Sequence, residues 1–320
     1  DFGFFKNRLS GELNWYNKKT TDMLLAVPVP SPSGTTNVLG NIGEMENKGV
    51  EIVLNSVNVS NKNFKWTTSL NIARNKNKLT KLDGDQKEIL PSDARFANAL
   101  IIGQPIGVFY APKYAGVDPA NGDPLFYLPD GKSTTNVYGD AGKFIVGDPN
   151  PDWIGGITNT VTWKGLELNF LFQGVFGNQV QDGAGGFMSA SGDWFDNQTR
   201  DQLNRWQKPG DVTNVPEARI NRYGDFESPS ISTRYIYDAS YVRLKNITLA
   251  YNVPQKLVNK AKLSSARVYV SGVNLLTFTD YPGWDPEVNT DYRVSNVNQG
   301  SDFYAAPQIK SFVFGITLGL

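Results

Sequence analysis

The chain has 320 residues, with 31 basic and 31 acidic side chains and neither histidine nor cysteine. The absence of cysteine excludes disulfides, thiolate metal sites and thiol nucleophiles, and the absence of histidine removes the commonest general base and metal ligand. A net charge of zero gives no reason to expect nucleic acid as a partner.

Apolar and polar residues alternate with a period of two along much of the chain, which is the pattern of β-strands. Within the strand predicted at 238–252, the apolar face changes phase between Leu244 and Ile247, which indicates a bulge. The eight predicted strands lie at 9–16, 50–55, 64–72, 154–163, 166–173, 238–252, 265–278 and 308–320.

The connections between these strands are alternately long and short. Outer-membrane barrels combine short periplasmic turns with long extracellular loops, so this alternation favours a transmembrane β-barrel. The two longest connections exceed the length of ordinary structureless loops and are expected to fold over the barrel mouth. The predicted connections are 18–47, 60–63, 77–153, 164–165, 178–237, 253–264 and 279–308, with a short helical turn at 254–262.

A β-sandwich is the alternative, because the same alternation would then bury the apolar face between two sheets. Such a chain would be a soluble or surface module for carbohydrate binding or adhesion, or a secreted carbohydrate-active enzyme. In a barrel, the apolar face contacts outer-membrane lipid instead, where a charge at the midplane costs about 2–4 kcal/mol. The residues predicted to face lipid are Leu9, Leu13, Trp15, Phe312, Phe314, Ile316 and Leu318.

Aromatic residues in the long connections are candidates for ligand binding, because their rings can stack on sugars. Packing of the loops against one another or against a partner protein would explain the same residues. The candidates are Phe187, Trp194, Phe195, Trp206, Tyr281 and Trp284.

Two acidic segments, 118–123 and 148–152, have part of the ligand spacing of a calcium loop. Trp153 occupies the position where that loop requires glycine, and Asn159 the position where it requires a bidentate glutamate. Pro149 and Pro151 predict instead that 148–152 is a rigid turn. The carboxylate pairs Glu44/Glu46 and Asp285/Glu287 are expected to be solvated rather than catalytic. The sequence therefore predicts no catalytic residue, no metal site and no cofactor.

Several longer segments resemble the SusC/RagA family of TonB-dependent outer-membrane transporters. They occur in family order and cover nearly the whole chain. They are NIGEMENKGVEI (41–52), FKWTTSLNIARNKNKL (64–79), GQPIGVFYAPKYAGVDPANGDPLFY (103–127), VGDPNPDWIGGI (146–157), WKGLELNFLFQGVFG (163–177), YDASYVRLKNITLAYNVP (237–254) and ARVYVSGVNLLTFTDYPGWDPEV (266–288).

The resemblance implies an all-β fold, in which 1–320 is the C-terminal portion of a large antiparallel transmembrane β-barrel. The plug domain and TonB box of such a transporter are absent from this chain. The implied function is nutrient import, of oligosaccharides or peptides, across the outer membrane of a Gram-negative bacterium. The implied partners are a SusD-like surface lipoprotein acting as a lid, and TonB acting through the missing N-terminal part.

The resemblance also separates the aromatic candidates. Tyr281 and Trp284 lie in a segment typical of the whole family, TDYPGWDPE, which favours a structural role for them. Trp194 and Trp206 lie in a connection without such resemblance, so they are the better candidates for substrate specificity.

Overall fold

The computed structural model describes residues 1–28, 34, 37–82, 84–90, 96–192, 197–220, 231–290 and 297–320. Strands dominate these ranges, and no helix within them is long and apolar enough to cross a membrane. The strands are β1 (Phe2–Phe4), β2 (Leu9–Pro28), β3 (Asn37–Ser60), β4 (Phe64–Lys81), β5 (Glu88–Ile89), β6 (Asn98–Ile101), β7 (Val108–Pro112), β8 (Tyr114–Val117), β9 (Pro124–Tyr127), β10 (Thr134–Thr135), β11 (Lys143–Gly147), β12 (Trp153–Trp163), β13 (Leu166–Phe176), β14 (Gln179–Asp182), β15 (Ile236–Asp238), β16 (Tyr241–Asn252), β17 (Ser265–Thr279), β18 (Ser301–Asp302) and β19 (Ser311–Gly319). The helices are α1 (Gly185–Met188) and α2 (Gln255–Lys260), with 3-10 turns at Tyr138–Asp140, Arg200–Asn204 and Thr233–Tyr235.

Nine strands form one antiparallel sheet in the order β1-β2-β3-β4-β12-β13-β16-β17-β19. Eight of them confirm the predicted strands, and α2 confirms the predicted helical turn. The predicted turn at 164–165 is a two-residue hairpin, in which Lys164 and Gly165 have φ values of 47° and 92°, as such turns require. The predicted bulge is also confirmed, because pairing shifts on either side of Lys245.

The prediction that 18–47 is a connection is wrong, because most of this segment is strand. β2 continues to Pro28 and β3 begins only at Asn37, so the two form a long paired arm. β4 is extended in the same way. The arm lacks apolar alternation because charged side chains occupy the face that is apolar between Leu9 and Trp15. One of them is Lys19, whose ammonium lies 2.6 Å from Glu44.

One face of the large sheet is apolar over its whole width. Residues that pair across antiparallel strands point to the same face, as do residues two apart along a strand. Leu13 connects in this way to Ile52 and Ile72 across β2, β3 and β4. A second row, joined through β4, is Trp66–Val161–Leu168–Leu249–Val270–Phe314.

The predicted lipid-facing residues of the first and last strands therefore share this apolar face. Their side chains are largely uncovered by the described residues: Leu13 is 63% exposed, Trp15 70% and Phe314 78%. The smaller sheets, β10-β9-β8, β11-β7-β6-β5 and β15-β14-β18, lie within the loops. Because no second sheet in the described part covers the apolar face, the β-sandwich alternative is wrong.

The opposite face is polar and its side chains bond to one another across strands. Asn169 donates from Nδ2 to Thr160 Oγ1 at 2.8 Å. The hydroxyls of Thr248 and Ser271 lie 2.6 Å apart. This face therefore suits contact with water, whereas the apolar face suits contact with lipid.

A polar residue on the apolar face is satisfied by its neighbours. Asn159 is buried, and its Oδ1 accepts hydrogen bonds from Trp66 Nε1 at 2.9 Å and from Thr68 Oγ1 at 2.7 Å. A hydrocarbon environment requires such internal pairing, because no water is available there.

Tryptophans mark both ends of β12 on the apolar face. Trp153 and Trp163 are the first and last residues of this strand. Ten residues of strand rise about 33 Å, and a tilt of about 40° reduces this to about 25 Å. That is about the height of the apolar band of an outer-membrane barrel, so the two tryptophans have the spacing of its two aromatic girdles.

Candidate functional site

Three long loops leave the large sheet at the same edge: a first loop (82–152), a second loop (177–240) and a third loop (280–310). Apolar clusters join them into one body. Ile231 and Ile236 of the second loop pack against a buried cluster of the first loop, formed by Ala97, Phe109 and Ala111. Val180 of the second loop packs with Tyr281 of the third. The expectation that the two longest connections are not structureless is thus confirmed.

Buried polar side chains complete the contacts between these loops. Gln181, 1% exposed, accepts a hydrogen bond at Oε1 from the backbone N–H of Ala97 at 2.8 Å. Asn98 donates from Nδ2 to the carbonyl of Gln299 at 2.9 Å. The first loop therefore touches both others, and β14 of the second loop pairs in parallel with β18 of the third.

Arg243 attaches the third loop to the polar face of the sheet. This β16 side chain is 1% exposed, and its Nη2 lies 2.5 Å from Asp285 Oδ1 while its Nη1 lies 2.9 Å from Glu287 Oε2. Lys245, at the bulge, reaches the same Glu287 oxygen at 3.2 Å. Asp285 also accepts the backbone N–H of Gln308 at 2.9 Å, so both ends of the third loop meet at this cluster.

The expectation that the carboxylate pair Asp285/Glu287 is solvated is wrong for Asp285, whereas the side chain of Glu287 stays 35% exposed. Asp285 is 5% exposed, because its carboxylate is enclosed between the guanidinium and the loop backbone. Their alternate spacing within WDPEV places both carboxylates toward one arginine. The sequence signal that could have indicated this burial is Arg243 itself, because it and Lys245 are the two charged residues in the twelve residues of β16.

The aromatic candidates lie in different surroundings. The ring of Phe187 packs edge-on against Phe303 with centroids 5.8 Å apart. Trp206 is 6% exposed and donates from Nε1 to the carbonyl of Pro119 at 3.1 Å. Tyr281 is 5% exposed. Trp194 and Phe195 lie outside the described residues.

Trp284 differs from the other described candidates because its side chain is 76% exposed. It follows the buried Tyr281, whose hydroxyl donates to Asp302 Oδ2 at 2.8 Å. The third loop therefore holds one aromatic ring inward and presents another to solvent. Ligand binding by any of the candidates stays a prediction.

The two segments with calcium-like spacing have internal partners. Asp148 Oδ1 accepts hydrogen bonds from the backbone N–H of Asn150 at 2.8 Å and from its side chain at 2.7 Å. Asp123 forms an ion pair with Arg219 at 2.8 Å. Within the described residues, no group of three or more acidic side chains is placed to hold a metal ion.

Burial shifts the pKa values of several groups between the second and third loops. Removal from water raises the pKa of Tyr237 to about 12 and that of Tyr281 still further, so both phenols stay protonated. The pKa of Asp182 is raised as well, by burial and by the nearby charge of Asp302, although a hydrogen bond from Gly185 N–H opposes the shift.

Acidification is expected to stabilise the contact between the second and third loops through Asp182. A carboxyl whose pKa is higher in the folded than in the unfolded state binds more protons in the folded state, so stability rises as the pH falls through the raised pKa toward the ordinary value of 3.8. The rate of proteolytic cleavage in these loops should therefore fall as the pH is lowered from neutral toward that value.

The matched variant is Asp182→Asn, which keeps an oxygen to accept the N–H of Gly185 but has no charge to lose. It should be cleaved more slowly than the wild type at neutral pH and should show a smaller pH dependence. Asp148, whose pKa is also raised by burial, contributes equally to both proteins. An unchanged pH dependence in the variant would assign the effect to other groups.

A long antiparallel sheet with one apolar face, short turns at one edge and interlocked loops at the other defines the class of outer-membrane receptor barrels. A family model described as "TonB dependent receptor-like, beta-barrel" matches residues 1–275. The chain belongs to this TonB-dependent receptor β-barrel family.

The similar proteins confirm the resemblance to SusC and RagA. TonB-dependent receptor P3 of Formosa agariphila is 37% identical over 99% of this chain and 33% of its own length. TonB-dependent receptor SusC of Bacteroides thetaiotaomicron is 25% identical over 99% of this chain and 31% of its own length. A structure of the RagAB peptide transporter has a TM-score of 0.86 and 31% identity, covering 99% of this chain and 34% of that one. The chain thus spans about a third of the length of the curated relatives it matches.

Proposed function

We propose that this chain is the C-terminal part of the barrel of an outer-membrane importer that takes up oligosaccharides or peptides with energy supplied through TonB. The observation that carries the proposal is the continuous apolar face, which runs from Leu13 to Phe314. In this proposal, residues 1–320 supply barrel wall and extracellular loops. The plug and the TonB-binding segment belong to other parts of the full-length protein.

The loops are proposed to form part of the ligand chamber beneath a SusD-like surface lipoprotein. The RagAB structures, which the chain resembles, are those of a peptide importer. The contacts among all three loops support this arrangement, because they would keep the chamber wall in place while a lid moves. The chain carries out transport and no catalysis, in the outer membrane of a Gram-negative bacterium.

The test is uptake by cells that lack the gene for the full-length protein. Labelled oligosaccharides and labelled peptides are supplied separately, with and without an uncoupler that collapses the proton gradient. Loss of one uptake activity in the mutant, and its loss with uncoupler in the parent, would support the proposal and select the substrate class. Unchanged uptake of both substrates would contradict it, as would recovery of the protein from the soluble fraction.

Trp284→Ala is expected to weaken binding of the ligand or of the lipoprotein about 5-fold and to leave stability unchanged. The ring is exposed, so its removal leaves no cavity, while an aromatic contact contributes about 1 kcal/mol. Binding is measured by calorimetry with the purified full-length receptor, and stability by its thermal unfolding in detergent.

Trp206→Ala is the contrasting variant, because its ring is buried between loops. Truncating a buried tryptophan costs about 3–5 kcal/mol, so its thermal unfolding should shift clearly. If Trp284→Ala destabilised the receptor and bound normally, the ring would serve packing alone.

A further inference from the structure

The apolar face of the sheet continues toward the loops as a basic surface. Trp15 lies in the last apolar row, paired with Val50. From this row toward the loops, charged residues replace apolar ones on the same face, beginning with Arg74, which pairs with Val50. We name Lys48, Arg74, Lys76 and Lys78 the basic cluster. The pairs that define it, in order toward the loops, are Val50–Arg74, Lys48–Lys76 and Glu46–Lys78.

The basic cluster carries positive charge that its neighbours compensate only in part. Lys48 forms an ion pair with Glu46 at 2.9 Å. Lys76 and Lys78 form no ion pair with any residue in the described ranges. Arg74 Nε is buried and has no hydrogen-bond partner there. A groove of about 440 Å³ lies among these side chains and Trp15.

The position of the cluster along the strands matches the lipid headgroup layer. Arg74 lies over the ring of Trp153 at 5.1 Å, at the upper end of the proposed apolar band. Each further row adds about 7 Å along a strand, or about 5 Å along the membrane normal. Lys76 and Lys78 therefore lie about 5 and 10 Å above the hydrocarbon boundary, where headgroups reside.

A second groove lies on the apolar face directly below Trp153. Gly155 of β12 pairs with Gly174 of β13, so neither position carries a side chain, although the ring edge of Phe176 leans over Gly174. The resulting groove has a volume of about 230 Å³ and is bordered by Phe172 and Phe176. Its lining is apolar and its width is that of two strands, which suits a hydrocarbon chain.

We propose that the basic cluster and the groove at Gly155 and Gly174 bind one phosphorylated lipid of the outer leaflet. The phosphate contacts Arg74 and the lysines, and an acyl chain lies across the glycine pair. The inference rests on the proposed function, because it places the apolar face in the membrane.

The chemistry of the cluster selects phosphate over a zwitterionic headgroup. A guanidinium offers paired N–H donors to phosphate oxygens, and the lysines add point charges around it. Each basic residue near an anionic lipid surface contributes about fivefold in affinity. Three lysines together should therefore contribute about 100-fold.

The experiment measures lipid binding to the full-length receptor, delipidated in detergent, by native mass spectrometry. The probes are diphosphorylated lipid A and the same lipid after removal of its phosphates. We expect the wild type to retain the phosphorylated probe and the variant Lys48→Gln/Lys76→Gln/Lys78→Gln to bind it about 100-fold more weakly. The matched control, Lys256→Gln/Lys260→Gln/Lys262→Gln, removes the same charge at the opposite edge and should bind as the wild type does.

Two further arms distinguish a lipid from free phosphate. Gly174→Leu places a side chain in the groove, pushes aside the Phe176 ring, which an added Cβ would meet at 2.7 Å, and keeps the cations, so it should weaken binding of the phosphorylated lipid as well. Excess inorganic phosphate should displace little of the lipid. Any one of four results would overturn the proposal. The wild type and the lysine variant could bind equally, both probes could bind equally, Gly174→Leu could bind as the wild type does, or inorganic phosphate could displace the lipid. If the receptor still imports substrate, any of these results contradicts the lipid site but not the proposed function. A receptor found outside the membrane would contradict both the lipid site and the proposed function.

Discussion

Arg243→Met is expected to release the third loop from the sheet and to destabilise the receptor by about 3–5 kcal/mol. The substitution leaves the carboxylate of Asp285, 5% exposed, without the cation that compensates its burial. Removing one partner of a buried ion pair is costly for this reason, even where the intact pair contributes little net stability. The measurements are thermal unfolding in detergent and the rate of proteolytic cleavage within 280–310.

The matched control is Arg267→Met, which removes an arginine from the same polar face. Arg267 lies 2.8 Å from Glu167, but the two side chains are 37% and 28% exposed. A pair that is accessible to water contributes about 0–1 kcal/mol, so this variant should remain close to the wild type. Equal effects of the two substitutions would mean that Arg243 does not act through burial of its partners.

A second substitution separates the ion pair from the shape of the loop. Adding Asp285→Asn to Arg243→Met removes the uncompensated charge. It keeps one of the two carboxylate oxygens, of which Oδ1 accepts the N–H of Glu287 and Oδ2 that of Gln308. The double variant should therefore recover part of the lost stability. Without such recovery, the packing of the arginine stem rather than its charge would hold the third loop.

The large sheet could be predicted because its chemistry repeats every two residues. Phe312, Phe314 and Ile316 alternate with small or polar residues, and one face of a strand in lipid must be apolar throughout. The paired arm formed by β2 and β3 could not be predicted in the same way. Beyond Trp15, β2 continues through a polar run at 17–22, and the apolar residues that follow at 23–27 are consecutive rather than alternating, so the period-two signal ends about ten residues before the strand does.

The fold of the loops depends on contacts between residues that are distant in the sequence, and local sequence patterns do not encode such contacts. Ala97 and Gln181 are 84 positions apart, yet the glutamine side chain bonds the alanine backbone. Nothing near either residue indicates the other. The same reason hid the partnership of Arg243 with Asp285, although both belong to segments whose family resemblance is clear from the sequence alone.

Phe314→Arg and Leu13→Arg are each expected to impair assembly of the receptor in the outer membrane. If the apolar face contacts lipid, an arginine at either position enters hydrocarbon, at a cost that reaches about 2–4 kcal/mol at the midplane and falls toward the interfaces. Phe314 belongs to the final strand and Leu13 to the first long one, so the pair tests both ends of the chain. The measurement is the amount of folded receptor at the cell surface, compared with total protein.

The residues next to Phe314 and Leu13 supply controls, in which the same charge is placed on the opposite face of the same strand. Val313→Arg and Asn14→Arg introduce the same charge one position away, where alternation directs it to the polar face. Val313 pairs with Ser271 and Asn14 with Glu51, so an arginine there meets polar neighbours and should be tolerated. Loss of assembly in the first two variants alone would place lipid against the apolar face. Equal tolerance of all four would instead mean that the apolar face is covered by something other than hydrocarbon, because a charge is excluded from lipid wherever the strand crosses it.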